Sequence, residues 1–214
     1  MAGKKSTFLS MVLTLFLVSF LSASILGFVH NLTKEAIDAA KLKAQNDAIK
    51  SILPDFAELG AAWKATPSEG GDSLVFFPAF DSSHELVGVA VKTYSKNGFG
   101  GLIQVMVGFQ PDGAISGYQV LEHKETPGLG SKMDTWFNNP EKTGQNIIGK
   151  NPETTKLLVS KDGGEVDAIT ASTITSRAFL ESVRRAYETY QASAPEKTEE
   201  DPISQHEETE GGAL

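Results

Sequence analysis

The sequence predicts an α+β fold: an antiparallel sheet with helices packed on it, behind a single N-terminal transmembrane helix. Three observations lead there. The 214-residue chain opens with a 23-residue run that carries no charge, residues 7–29. Four short runs rich in Val, Ile, Phe and Tyr follow, separated by Gly, Pro, Asp and Ser clusters, the pattern of strands and turns. An apolar-periodic helix then closes the folded part, with Ala178, Phe179, Val183, Ala186 and Tyr187 on one face.

Taken in order, residues 1–6 are a short cytoplasmic tail holding Lys4 and Lys5. As a helix, residues 7–29 span about 34 Å, enough for a hydrocarbon core of about 30 Å. A cleaved signal peptide ending at Ser22-Ala23-Ser24 is the competing reading. The length of the run favours an uncleaved anchor. Lys34, Lys41 and Lys43 follow closely, so lysines alone do not orient the span. A short acid-free tail is easily retained, and a long domain can translocate despite its charge, so the body is expected outside the cytoplasm. In residues 30–53, Leu32, Ala36, Ala40, Ala44, Ala48 and Ile52 recur every four positions up to Pro54, as in a stalk helix.

Residues 54–191 form the expected folded domain. Residues 58–71, rich in Gly, Ala, Ser and Pro, read as a loop. Strands are expected at 73–77, 86–94, 102–109 and 114–121. Pro111-Asp-Gly113 marks a tight turn joining the last two as a hairpin. Short helices are expected at 132–138 and 144–148. Two short strands, 157–159 and 166–169, flank Lys161-Asp-Gly-Gly164. The closing helix is expected at 174–191. Residues 192–214 hold seven acids, one lysine and two prolines, and read as a disordered acidic tail.

Composition removes several classes of chemistry. Without cysteine there is no disulfide, cysteine-ligated iron–sulfur cluster, haem attachment through CxxCH or thiol nucleophile. A redox role would need an organic cofactor. His30, His84, His123 and His206 lie far apart, and no metal-ligand spacing is present. The net charge is −8, most of it in the acidic tail, and no basic stripe suggests nucleic acid.

Two motifs stand out. Asp167-Ala-Ile-Thr-Ala-Ser-Thr-Ile-Thr-Ser-Arg177 crowds Thr170, Ser172, Thr173 and Thr175 at a helix start. Unpaired backbone N–H groups and the positive end of the helix dipole make such a place suited to a phosphate. The plainer reading is an N-cap by Thr173 or Thr175, worth about 1 kcal/mol, but a cap needs only one hydroxyl. No P-loop and no GxSxG elbow is present, and no catalytic residue is assigned. The second motif is His123-Lys-Glu-Thr-Pro-Gly-Leu-Gly-Ser131, whose glycines permit positive φ and close approach to a ligand. An ordinary turn is the alternative. Glu125, as a lone loop carboxylate, is expected to be solvated, and residues 97–101 read as a turn.

At these two motifs the chain resembles the FMN-binding domain found in the G subunit of the Rnf electron-transport complex and the C subunit of the sodium-translocating NADH:quinone reductase. Glu125-Thr-Pro-Gly-Leu-Gly130 is similar to the first family motif. Asp167 to Thr173 is similar to the pattern Asp-x-x-[Ser/Thr]-Gly-Ala-Thr, whose last threonine carries FMN as a phosphoester. Ala171 stands in place of the usual Gly, and Ser172, a second hydroxyl, in place of the usual Ala. The resemblance implies covalent FMN on Thr173. Thr170 and Thr175 would hydrogen-bond near the phosphate, beside Ser172, and Thr126, Gly128, Leu129 and Gly130 would line the flavin.

An alkyl hydroxyl is a poor nucleophile at neutral pH, and nothing nearby in sequence activates it. A separate flavin transferase is therefore needed, and the resemblance implies one similar to an enzyme using FAD and a magnesium ion. Asp167 would serve its recognition motif or brace the turn. The implied function is a membrane-anchored flavoprotein relaying electrons in an ion-pumping ferredoxin:NAD⁺ oxidoreductase, with no turnover of its own. Its partners would be the other membrane subunits of the complex. Its place would be the cytoplasmic (inner) membrane, single-pass, with the domain on the periplasmic side. The quinone-reductase subunit, which is longer, and a non-redox binding or assembly module remain the alternatives.

Overall fold

The computed structural model describes residues 8–194. Its first element, α1 (Phe8–Ile52), is one unbroken helix of 45 residues, so the expected anchor and stalk are continuous. Its most apolar stretch has a mean hydropathy of 2.4, and none of it is buried against the rest of the protein. Residues 1–6 lie outside the described residues, as does the acidic tail from residue 195 onward.

Six strands form one antiparallel sheet: β1 (Glu58–Leu59), β2 (Trp63–Ala65), β3 (Leu74–Phe80), β4 (Leu86–Gly98), β5 (Gly101–Phe109) and β6 (Ile115–Glu122). The order is β1-β3-β4-β5-β6, with β2 also paired to β3. The four long strands fall where sequence places them. At the Pro111-Asp-Gly113 turn, the Gly113 N–H donates to the Gln110 carbonyl at 2.9 Å, as a tight hairpin requires.

Several differences from expectation have local causes. Residues 58–71 contain the short strands β1 and β2, too brief to show alternation, with Trp63 stacked on Phe76 at 5.0 Å. Residues 157–159 and 166–169 do not form paired strands. A 3₁₀ turn at Ser160–Asp162 and Gly163 at φ +75° carry the chain full circle. That leaves a single parallel bridge, Val159 to Val166. Residues 144–148 hold a 3₁₀ turn, Thr143–Gln145, and no helix, because Asn146 is extended. The expected helix near 132–138 is a 3₁₀ turn, Gly130–Lys132, leading into α2 (Met133–Trp136). The closing helix, α3, runs Thr173–Ser193.

Strand alternation gives the sheet two apolar faces. On one, Phe76, Val91, Val105, Val107 and Phe109 meet Phe179, Val183, Ala186 and Tyr190 of α3. Phe179 stacks on Phe137 at 4.5 Å and meets the edge of Tyr118 at 4.8 Å. Tyr118 donates its hydroxyl to the Met133 carbonyl at 2.8 Å and accepts from the Phe137 N–H at 3.1 Å, tying α2 to β6. On the other face, Ala79, Ala90 and Met106 receive Ala48, Ile49, Ile52 and Leu53 from the end of α1.

Candidate functional site

The site is built at one end of the sheet, where three chain segments converge. The first is the β4–β5 hairpin, in which Gly98 pairs with Gly101 and Phe99 sits at the tip, 72% exposed. The second is the loop from His123 to Ser131, and the third is the start of α3. The two sequence motifs, some 40 residues apart in the chain, therefore meet in space.

The buried side chain of Glu125 holds them together. Its Oε1 accepts the Gly100 N–H at 2.9 Å and its Oε2 accepts the Thr175 hydroxyl at 2.6 Å. Glu125 is thus no solvated loop carboxylate; it is 6% exposed. A Cβ at Gly98 would sit 2.7 Å from its Oε1, and one at Gly130 would collide with its Oε2. Its own N–H is received by His123 Nδ1 at 3.1 Å, and His123 Nε2 lies 3.9 Å from Asp134. Partial burial pushes the Asp134 carboxyl up from its ordinary value, against the pull of His123.

The helix start has an unusual shape. Ala171 sits at φ +63°, in the left-handed region where the similar family has glycine. Ser172 takes the N-cap position, and no side chain caps the helix there. The capping role considered for Thr173 or Thr175 is therefore absent. Ser176 braces this turn instead: its hydroxyl receives the Ile169 N–H and donates to the Ser172 carbonyl, each at 2.9 Å. Ser176 was passed over at the level of sequence; a hydroxyl one turn into a helix commonly bonds back to the i−4 carbonyl, and that signal could have found it.

Two cavities flank this turn. One, of about 340 Å³, is lined by Phe99, Glu125, Thr126, Leu129, Gly130, Ala171, Ser172, Thr173, Ile174 and Thr175. The other, of about 460 Å³, is lined by residues including Trp136, Ser160, Lys161, Asp167, Thr170 and Thr173. Thr173, half-buried, stands on the wall between them. Thr126, Leu129, Gly130, Ser172 and Thr175 share the smaller cavity, as the motifs anticipate, though Thr175 has already given its hydroxyl hydrogen to Glu125. Thr170 faces the larger cavity. Gly128 shapes the loop at φ +75°, its N–H bonded to the Ser131 hydroxyl at 2.9 Å, and does not line the smaller cavity. Asp167 braces the second cavity: its carboxylate accepts the Ser160 hydroxyl at 3.2 Å and its carbonyl accepts the Trp136 indole N–H at 2.9 Å.

A model of the FMN-binding domain matches residues 98–188, a stretch that starts at the hairpin tip and takes in both motifs. The chain is 31% identical over 177 residues to the G subunit of the ion-translocating oxidoreductase complex of Methanosarcina acetivorans, covering 82% of this chain and 90% of that protein. It is also 31% identical over 191 residues to the G subunit of the Na⁺-translocating ferredoxin:NAD⁺ oxidoreductase complex of Acetobacterium woodii, covering 84% and 89%. The crystal structure of NqrC from Shewanella oneidensis is similar at 26% identity over 59% of this chain and 62% of that chain, with a TM-score of 0.39, too slight a likeness to define the fold.

Proposed function

The chain belongs to the G-subunit family of ion-translocating oxidoreductase complexes, and from that premise we propose that it is a membrane-anchored flavoprotein carrying FMN on Thr173. The observation that carries the reading is the position of Thr173: in the uncapped first turn of α3, on the wall of a cavity with an exposed apolar rim. The residues present fit the two ends of the cofactor. The first N–H groups of a helix have no partners within the helix, and together with the dipole they favour a phosphate. Phe99, Leu129 and Ile174 offer apolar surface for a planar ring, and Thr126 and Gly130 line the same cavity.

Bound FMN supplies reversible acceptance and release of electrons; the protein supplies its position and its electrostatic surroundings. Attachment joins the Thr173 Oγ to the flavin phosphate of FAD. The bond to the AMP phosphate breaks, AMP leaves, and the hydroxyl proton is released. Among the described residues no basic side chain is bonded to the Thr173 hydroxyl, so a separate transferase is assigned this step, as the sequence implies. In this reading the domain lies on the extracytoplasmic side of the cytoplasmic membrane. It exchanges electrons with the other subunits of its complex.

Co-expression of the full chain with a flavin transferase tests the reading. The expected product is yellow, keeps its colour in the acid-precipitated pellet, and loses it in the Thr173→Ala variant. Colourless wild-type protein, or covalent flavin persisting in Thr173→Ala, contradicts it.

A further inference from the structure

We propose that Glu125 sets the electron affinity of the flavin, by fixing a carboxylate charge in the wall of the cavity beside Thr173; this rests on the flavin reading above. Glu125 is buried, yet no Lys or Arg pairs with it among the described residues. Taking a carboxylate out of water without a counter-ion is costly, and mutual packing alone would be served as well by an amide of the same shape. The fold nevertheless holds this group with care. Gly98 and Gly130 leave no room for any side chain that would displace it. The Gly100 N–H and the Thr175 hydroxyl both donate to it, so both stabilise its charge. Both partners belong to the segments that form the cavity, and Glu125 itself lines it.

The consequence is electrostatic. Each electron added to the ring brings negative charge into a cavity whose wall already carries one. In surroundings less polarisable than water that repulsion is felt strongly. Glu125 therefore makes the flavin a more reducing carrier than the same ring beside a neutral wall. It is a tuning residue and takes no part in bond making.

The test is spectroelectrochemical titration of the full-length flavinylated chain with Glu125 as it stands, as Glu125→Gln and as Glu125→Asp. Intact mass reports flavin loading in each. Gln keeps the shape and removes the charge; Asp keeps the charge and shortens the side chain. The expected result is a midpoint potential shifted positive in Gln, with Asp closer to the wild type. A purely mechanical strut predicts the reverse order, with Gln the closer mimic, and that order overturns the proposal. So does an unmoved potential in a fully loaded Gln variant. Should Gln not load, Thr175→Val leaves the charge and removes one compensating donor, so the potential is expected to move negative; no movement there overturns the proposal as well. Wild-type protein that never takes flavin counts against the cofactor reading instead, which keeps the two failures apart.

Discussion

Ala171 holds the left-handed backbone at φ +63° although it carries a Cβ. Such a residue costs about 1–2 kcal/mol relative to the ordinary conformation. Glycine removes that strain but loosens the unfolded chain, so Ala171→Gly is expected to stabilise the domain by about 0.5–1 kcal/mol, read from urea unfolding midpoints. Next to it, Ser172 and Thr173 are adjacent hydroxyls with different surroundings: Ser172 sits at the N-cap, while Thr173 stands between the cavities. Ser172→Ala is expected to keep full flavin loading and Thr173→Ala to lose it, which mass spectrometry of the two variants separates. The opposite pattern would move the attachment by one residue.

Further along the first turns of α3, Arg177 donates to Asp162 at 2.7 and 2.8 Å. That hydrogen bond, with the guanidinium charge, holds the Asp162 carboxyl below its ordinary value. A depressed folded-state value means stability that is present above the unfolded value, near 3.9, and is lost as pH falls through that value toward the folded one. The melting temperature of the wild type is expected to converge with that of Arg177→Gln as pH drops through this window. A constant gap would contradict the pairing. At this scale the hydroxyl cluster was legible, because crowding is a local signal, and Ala171 stood out only against the glycine of the family pattern. The burial of Glu125 was not, because its partners lie 25 and 50 residues away.

The strongest element-level feature is the seat of α1 on the sheet. A Cβ at Gly117 would lie 2.9 Å from Ile52 Cα, and one at Gly108 would lie 2.9 Å from the Ile52 carbonyl oxygen. These paired glycines leave a flat patch on β5 and β6 for the helix end. Ser116 then donates its hydroxyl to the Ile52 carbonyl at 2.6 Å, satisfying a group that a helix terminus leaves open. Ile49 and Ile52, both buried, each contribute about 1.5–3 kcal/mol by transfer from water. Gly117→Val is expected to unseat this end at a cost of about 1–3 kcal/mol. Faster amide exchange at residues 48–53 would report it, and unchanged exchange would show that the seat tolerates the side chain. The long strands and α3 were legible because period 2 and period 3.6 persist over seven or more residues. β1, β2 and the turn at Ser160–Asp162 were not, because two or three residues carry no period.

Across the whole molecule, the path of α1 sets where the site lies. Lys41, Ala44 and Gln45 share a crevice with Gln104, Leu121 and Glu122, while Ile52 reaches Gly108 and Gly117. Moving back along α1 toward its apolar segment is therefore moving toward the start of β5 and the end of β6. That is the end where the β4–β5 hairpin, the Glu125 loop and the first turn of α3 converge. The site and the anchor lie toward the same end, and the β5–β6 hairpin tip at Asp112 lies at the other. In protein reconstituted in bilayers, a probe at Phe99 is expected to lie nearer the lipid headgroups than one at Asp112, by energy transfer to a headgroup label. Equal or reversed distances would mean that α1 does not continue straight into the membrane. The sequence carried the single apolar run and the α+β class, but not this alignment, which arises only from how α1 crosses the strands.

The most direct measurement is peptide mapping by mass spectrometry of the chain purified from cells that contain its own modifying enzyme. One FMN, joined with loss of one water, is expected on Thr173 and on no other side chain. A bare Thr173 in that material would contradict the account.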